Sequence, residues 1–242
     1  MGPVEAVLFD LDDTLLDGDA AWRCGMNRML ARCPEVDRTA AFQAWDVVTR
    51  EHYPRYLAGE LTFEESRVAR VRSWADRVGV TVEANAELAW FHDYRAGYEA
   101  GWVAFGDVGP CLKELERLRL GVITNGDGAQ QRAKLAALGF EAVFEVVIAS
   151  GDIGCAKPDP RIFHFAAARL GLPPERCLFV GDQRDSDALG ALAAGMPALW
   201  LNRDARTAPD DQVPEIATLA ELPVLVRGTG GHLGEAHADA MP

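Results

Sequence analysis

Val4-Glu5-Ala6-Val7-Leu8-Phe9 is apolar at every position but one and ends abruptly at Asp10. A strand covered on one side alternates apolar with polar residues. A near-continuous apolar run of this length therefore predicts a buried parallel strand. From about Gly18 the rhythm becomes helical. Trp22, Met26, Met29 and Leu30 fall on one helical face, and Val68, Val71, Trp74 and Val78 repeat the spacing later. Thr62 with Glu65 three residues on predicts a capping box at a helix start. Nothing from Gly18 to Gly101 reads as a strand, so this stretch is predicted to be an all-helical insert of about four helices.

After Trp102 the pattern alternates. Helices are predicted over 112–118, 129–138, 160–170 and about 186–194. Strands are predicted over 120–124, 143–149, 177–180 and 196–201, with a closing helical turn over 215–222. Gly139 and Gly171 stand where helices end. Strands alternating with helices of this length predict an α/β fold with a doubly wound parallel sheet. The expected organisation is a core domain of residues 1–16 and 102–225, a helical domain of 17–101, and a tail over 226–242. That tail is glycine-rich without an apolar face, so disorder is expected, with His232 and His237 solvated.

Composition narrows the function classes. Hydrophobic residues are 49% and charged residues 25%, as in ordinary soluble domains. A net charge of -13 repels a phosphate backbone, so no nucleic-acid partner is expected; a small anionic substrate needs only a local cationic site. No run approaches a membrane span, and the amino-terminal segment lacks the basic region of a secretory leader. Cys24, Cys33, Cys111, Cys155 and Cys177 are odd in number, irregularly spaced and without a CxxC, so free thiols in a cytoplasmic protein are expected.

In open parallel sheets ligands bind beyond the carboxyl ends of the strands. Asp10, Asp12, Asp13 and Thr14 follow the first predicted strand, and Thr124, Asn125 and Gly126 end the second. Lys157-Pro158 follows the third, and Gly181, Asp182, Asp185 and Asp187 the fourth. Asp10 and Asp12 are two apart in extended chain, so both carboxylates can face one side, and mutual repulsion is expected to raise one pKa. One could then act as nucleophile and the other move protons. Alone, the pair fits a solvated acidic turn equally well. Likewise Lys157 alone fits a surface salt bridge, and Thr124-Asn125-Gly126 alone a plain turn. Together the segments point further. Asp10, Asp12, Asp182 and Asp187 offer only oxygen ligands, which suits Mg2+. Lys157 supplies the positive charge that phosphoryl transfer needs, and Thr124 and Asn125 supply donors for phosphate oxygens.

Val7-Leu8-Phe9-Asp10-Leu11-Asp12-Asp13-Thr14-Leu15 resembles the first motif of the haloacid dehalogenase-like hydrolases. Ile123-Thr124-Asn125-Gly126 resembles the second motif, Lys157-Pro158 the third and Gly181 to Asp187 the fourth, in the right order over roughly residues 4 to 202. The resemblance implies a Rossmann-like core with an inserted helical cap. It implies Asp10 as the nucleophile that forms an aspartyl-phosphate and Asp12 as general acid and base. It further implies that Asp10, the Asp12 backbone carbonyl and Asp182 hold magnesium, and that Thr124, Asn125 and Lys157 bind the phosphoryl group. Asp187 fits a place behind the metal or Lys157.

The dehalogenases of this family resemble one another in having tyrosine where this chain has Asp12. A carbon–halogen displacement needs no acid for its leaving group, whereas a phosphate ester does. A magnesium-dependent phosphatase acting on a small phosphorylated metabolite is therefore expected. A sugar phosphomutase would resemble its relatives in a histidine soon after the first motif, and residues 17–23 contain none. A phosphonate hydrolase would want a lysine in the cap, and residues 17–102 contain none. A non-catalytic binding module on the same fold is the reading from another class. The cap is expected to set substrate choice by closing over the site. Of its arginines (Arg23, Arg50, Arg55, Arg67, Arg70, Arg72), Arg23 is the one expected at the entrance. Monomer and homodimer stay equally open.

Overall fold

All four residues of β1 (Ala6–Phe9) are 0% exposed, as an apolar run buried on both faces requires. In this computed structural model, which describes residues 3–203 and 212–229, β1 lies inside a six-stranded, wholly parallel sheet of order β3-β2-β1-β4-β5-β6. The chain divides into two compact units, Met1–Asp17 with Val103–Pro242, and Gly18–Trp102.

The second unit holds α1 (Gly18–Leu30), α2 (Arg38–Leu57), α3 (Phe63–Val78) and α4 (Glu87–Ala100). Both halves of the capping box form at Thr62 and Glu65. The core of this unit is built on fully buried Trp45 and Trp74 with Phe91 and Tyr94 against them, and the Trp74 indole donates to the Ala41 carbonyl at 3.0 Å. Gly97 lets α4 lie against α1, since a Cβ there would stand 2.5 Å from the Cys24 carbonyl.

The sheet unit continues with α5 (Val108–Glu114), β2 (Arg119–Thr124), α6 (Gly128–Ala137), β3 (Val146–Ala149), the short α7 (Ser150–Ile153), α8 (Pro160–Arg169) and β4 (Cys177–Gly181). A π-helical turn (Arg184–Leu189) runs into α9 (Gly190–Ala193), then β5 (Ala198–Leu201) and β6 (Glu215–Ile216). A 3-10 turn (Leu219–Glu221) leads into α10 (Leu222–Thr229). Chain order reverses beside β1, between β2 and β4, which places the ligand crevice of such sheets beyond β1.

Three expectations need correction. The helix placed at 112–118 is α5 and starts earlier, because Gly109 and Pro110 read as breakers yet sit in its first turn, where Pro leaves no helical bond unmade. The closing helical turn at 215–222 begins as the edge strand β6, whose two residues are too few to show a period. Trp200 N–H donates to the Pro214 carbonyl and Asn202 N–H to that of Ile216. The tail set as disordered from 226 is helical through Thr229, with Val226 buried. Residues 230–242, with His232 and His237, lie outside the described residues. No helix among the described residues is long and apolar enough to cross a membrane.

Candidate active site

The Asp10 N–H donates to the Val180 carbonyl at 2.9 Å, so strand-like pairing runs one residue past β1 and fixes where the Asp10 side chain starts. Asp10 is 6% exposed, and the Lys157 ammonium, itself buried, lies 2.5 Å from its Oδ1. The same ammonium lies 2.7 Å from Asp187 Oδ1 and 5.3 Å from the centre of the Phe179 ring. Asp187 is fully buried. The π-helical turn carries it back under β4, where its Oδ2 accepts from the Gln183 N–H at 3.0 Å. Gly181 makes that return possible, because a Cβ there would collide with the Asp187 carboxylate. Asp182 completes the group, its N–H donating to the Thr14 hydroxyl at 3.1 Å and its Oδ2 accepting from the Gln183 amide at 2.5 Å. Asp185, also after this strand, turns outward and pairs with Arg184.

Oxygens of Asp10, Asp182 and Asp187 lie within 4.8 Å of one another. Burial pushes the Asp10 carboxyl well above the ordinary carboxylate range; Lys157 opposes this, and Asp187 and Asp182 add to it. Repulsion between Asp10 and Asp12 was expected to raise one of the two, but the neighbouring charges that raise Asp10 are Asp187 and Asp182. Burial, helped by Asp187, pushes Asp182 up to about 7. Burial works against the Lys157 charge, but Asp10 and Asp187 outweigh it and hold the ammonium above its ordinary range. Three carboxylates thus face one lysine. An all-oxygen donor set short of two positive charges fits a hard divalent cation such as magnesium.

Asp12 turns elsewhere. Its two oxygens accept from the Lys134 ammonium at 2.6 and 2.8 Å, and Oδ2 also accepts from the Gln131 amide at 3.0 Å. The Gln131 nitrogen lies 2.6 Å from the Thr124 hydroxyl as well, so Thr124 at the end of β2 is tied to Asp12 through one side chain. The Asp12 carboxylate is absent from the clustered oxygens, leaving its backbone carbonyl for the metal role the sequence suggested. Asn125 was expected to donate to phosphate. Its side chain instead brackets the Lys157 backbone, accepting from the Lys157 N–H at 2.8 Å and donating to its carbonyl at 3.0 Å. Arg203 braces the loop after β1 from behind by donating to the Thr14 carbonyl at 2.9 Å while paired with Asp107 at 2.8 Å. In the helical unit, Arg23 is exposed and paired with Asp19 at 2.6 Å. Arg50, Arg55 and Arg72 also pair with carboxylates. Gln131 and Lys134 escaped sequence reading, because on a helix they read as part of a solvated face.

The family model for haloacid dehalogenase-like hydrolases matches residues 4–195. The chain belongs to that family. This haloacid dehalogenase-like hydrolase is 30% identical over 223 residues to pyrimidine 5'-nucleotidase YjjG of Escherichia coli (strain K12), covering 91% of this chain and 96% of that one. It is 32% identical over 230 residues to the glyceraldehyde 3-phosphate phosphatase of Methanopyrus kandleri, covering 88% and 91%. Among solved structures, the HAD-hydrolase YfnB from Bacillus subtilis, bound to magnesium, shares the fold with a TM-score of 0.77 at 24% identity, covering 93% of this chain and 99% of that one. The 2-haloacid dehalogenase from Pseudomonas syringae aligns with a TM-score of 0.63 at 27% identity, over 93% and 99%.

Proposed function

We propose that this hydrolase is a magnesium-dependent phosphatase that cleaves a small-molecule phosphate monoester through an aspartyl-phosphate on Asp10. The observation that carries the reading is the buried Asp10 carboxylate in contact with Lys157 and clustered with Asp182 and Asp187, while Asp12 stands apart on its own lysine. Asp10 attacks phosphorus, the bond from phosphorus to the leaving oxygen breaks, and Asp12 gives that oxygen its proton. Water then attacks the phosphorus of the aspartyl-phosphate, Asp12 takes the water's proton, and inorganic phosphate leaves with Asp10 restored. Thr124 donates to a phosphoryl oxygen, Lys157 balances the charge of nucleophile and ester, and Asn125 keeps Lys157 in place through its backbone. Held by Asp10, Asp182 and the Asp12 carbonyl, magnesium would supply the remaining positive charge that lets two anions meet.

The names of the relatives, which include a phosphoserine phosphatase and an N-acylneuraminate-9-phosphatase, support a small phosphorylated metabolite as the substrate class. Likeness to a 2-haloacid dehalogenase offers the competing chemistry, but Asp12 is a proton carrier that a halide leaving group does not need. Five free cysteines support a reducing, cytoplasmic setting. The test is hydrolysis of p-nitrophenyl phosphate with and without magnesium, by the wild type and Asp10→Asn. Turnover by the wild type with magnesium and none by the variant is expected; equal rates for the two would sink the assignment.

A further inference from the structure

Lys134 is 4% exposed, and among the described residues its ammonium has Asp12 as its one ion-pair partner. Lysine is seldom buried to this degree unless paired, and a buried ion pair is commonly no more stabilising than apolar residues of the same shape. A helix that only had to pack against the sheet would do as well with Leu or Met at this position. Gln131 repeats the point. It is 1% exposed, and its Oε1 is buried without a partner among the described residues while its nitrogen serves Asp12 and Thr124. A buried acceptor left unpaired keeps its desolvation penalty, so the amide is held at a cost to stability. The two residues are three apart on α6 and share a face. The helix begins immediately after Thr124-Asn125-Gly126, where Asp127 caps it by accepting from the Gln130 N–H at 2.9 Å. One rigid element therefore fixes Asp12 relative to the Thr124 hydroxyl.

We propose that Lys134, assisted by Gln131, is a positioning residue for Asp12. It fixes the carboxylate that moves protons beside Thr124, so that protonation of the leaving group depends on a lysine that touches neither substrate nor phosphorus. Asp12 Oδ2 is held by both Gln131 and Lys134 and is the anchored oxygen. Oδ1, held by Lys134 alone, is the one that exchanges its proton with the leaving oxygen. This inference rests on the phosphatase reading and on Asp12 as its acid and base.

Leaving-group dependence tests it, because a group acting through the general acid matters most when the departing oxygen is basic. Phenol has a pKa of about 10, like the tyrosine side chain, and p-nitrophenol is far more acidic. kcat/KM reports on the steps through leaving-group departure, so its ratio for phenyl phosphate against p-nitrophenyl phosphate isolates the acid. General acid help is worth about 10²- to 10⁴-fold, so Lys134→Met is expected to lower kcat/KM for phenyl phosphate at least about tenfold further than for p-nitrophenyl phosphate. Lys134→Arg should recover part of the difference. In an Asp12→Asn background Lys134→Met should add less than about twofold, since a residue acting through another is silent once that other is gone. Equal losses on both substrates, no loss at all, or additive losses in the double variant would overturn the proposal. If circular dichroism shows Lys134→Met unfolded, Gln131→Met is read on the same ratio, with a smaller selective loss expected and an unselective one overturning. Failure of the phosphatase reading shows separately, as Asp10→Asn matching the wild type on p-nitrophenyl phosphate, and takes this proposal with it.

Discussion

Magnesium should stabilise this protein far more at pH 8 than at pH 5, and Asp182 sets the size of the difference. Its carboxyl is pushed from the ordinary value of 3.8 up to about 7, first by burial and then by Asp187. An acid whose folded pKa is raised binds its proton more tightly in the folded state. Metal-free stability from this group is therefore present below pH 4 and lost as pH climbs through about 7. Asp10, raised for the same first reason, acts in the same direction. A cation needs the ionised form. At pH 5 roughly one Asp182 carboxyl in a hundred is ionised, so apparent metal affinity falls about 100-fold from its high-pH limit. With ion in excess at both pH values, a 100-fold difference in affinity is worth about 2.7 kcal/mol of stability. For a chain of this length each kcal/mol moves Tm by about 2–4 °C, so the magnesium-induced rise should be about 5–10 °C larger at pH 8 than at pH 5. Differential scanning fluorimetry in EDTA and in excess magnesium at the two pH values measures it. Equal rises at both, or a pH-dependent difference undiminished in Asp182→Asn, would refute the reasoning.

Lys157→Met removes the one cation between Asp10 and Asp187; leaving buried carboxylates unpaired costs about 3–5 kcal/mol, so metal-free Tm at pH 8 should fall on the order of 10 °C and turnover should vanish. Gly181→Ala adds a methyl group against the Asp187 carboxylate and is expected to cost about 1–3 kcal/mol in chemical denaturation while lowering kcat, although no charged group is changed. Asp12→Asn should leave the magnesium-induced Tm rise within about 1 °C of wild type while lowering kcat/KM for phenyl phosphate about 10²- to 10⁴-fold, because the carboxylates clustered for a cation are Asp10, Asp182 and Asp187. Arg70→Met should hold or raise Tm. Arg70 is buried among Trp45, Phe91 and Tyr94 and donates to the Thr49 hydroxyl at 2.9 Å, and among the described residues no carboxylate pairs with it, so a fall beyond about 5 °C would show that its contacts with those rings and with Thr49 outweigh the cost of burying the charge.

What was legible in the sequence was local or periodic. The apolar run of β1, the box at Thr62 and Glu65, and the polar residues that end each strand all follow from a few neighbouring positions. Asp10, Thr124, Lys157 and Asp182 could be gathered because a parallel sheet delivers the ends of its strands to one edge. What escaped was long-range. The Asn125 side chain grips the backbone of a residue 32 positions away, a bond with no local trace. Gln131 and Lys134 lie on a helix whose other polar residues face water, and periodicity does not tell an inward polar residue from an outward one. Arg23 was favoured for its nearness to the first motif, and it spends its charge on Asp19. β6 is two residues long and has no period to read.

The largest correction concerns why Asp10 and Asp12 differ. Two residues apart, they suggested a carboxylate pair whose mutual repulsion separates their roles. Such a pair titrates as a unit, and neither member has a fixed charge of its own. The structure separates them physically instead. Asp10 faces Lys157, delivered after β3 and anchored by Asn125, while Asp12 faces Lys134 on α6, anchored by Gln131. Each carboxylate has its own cation, carried by a different element. Asp10 lies buried among Asp182 and Asp187, in surroundings suited to a metal-bound nucleophile. Asp12, whose side chain keeps 38% of its exposure, stays open to solvent, as the proposed proton carrier requires. Two lysines on separate elements thus give neighbouring residues in one loop separate surroundings, and on the proposed roles this would let one carry the nucleophile's charge while the other moves protons, which repulsion between them alone could not achieve.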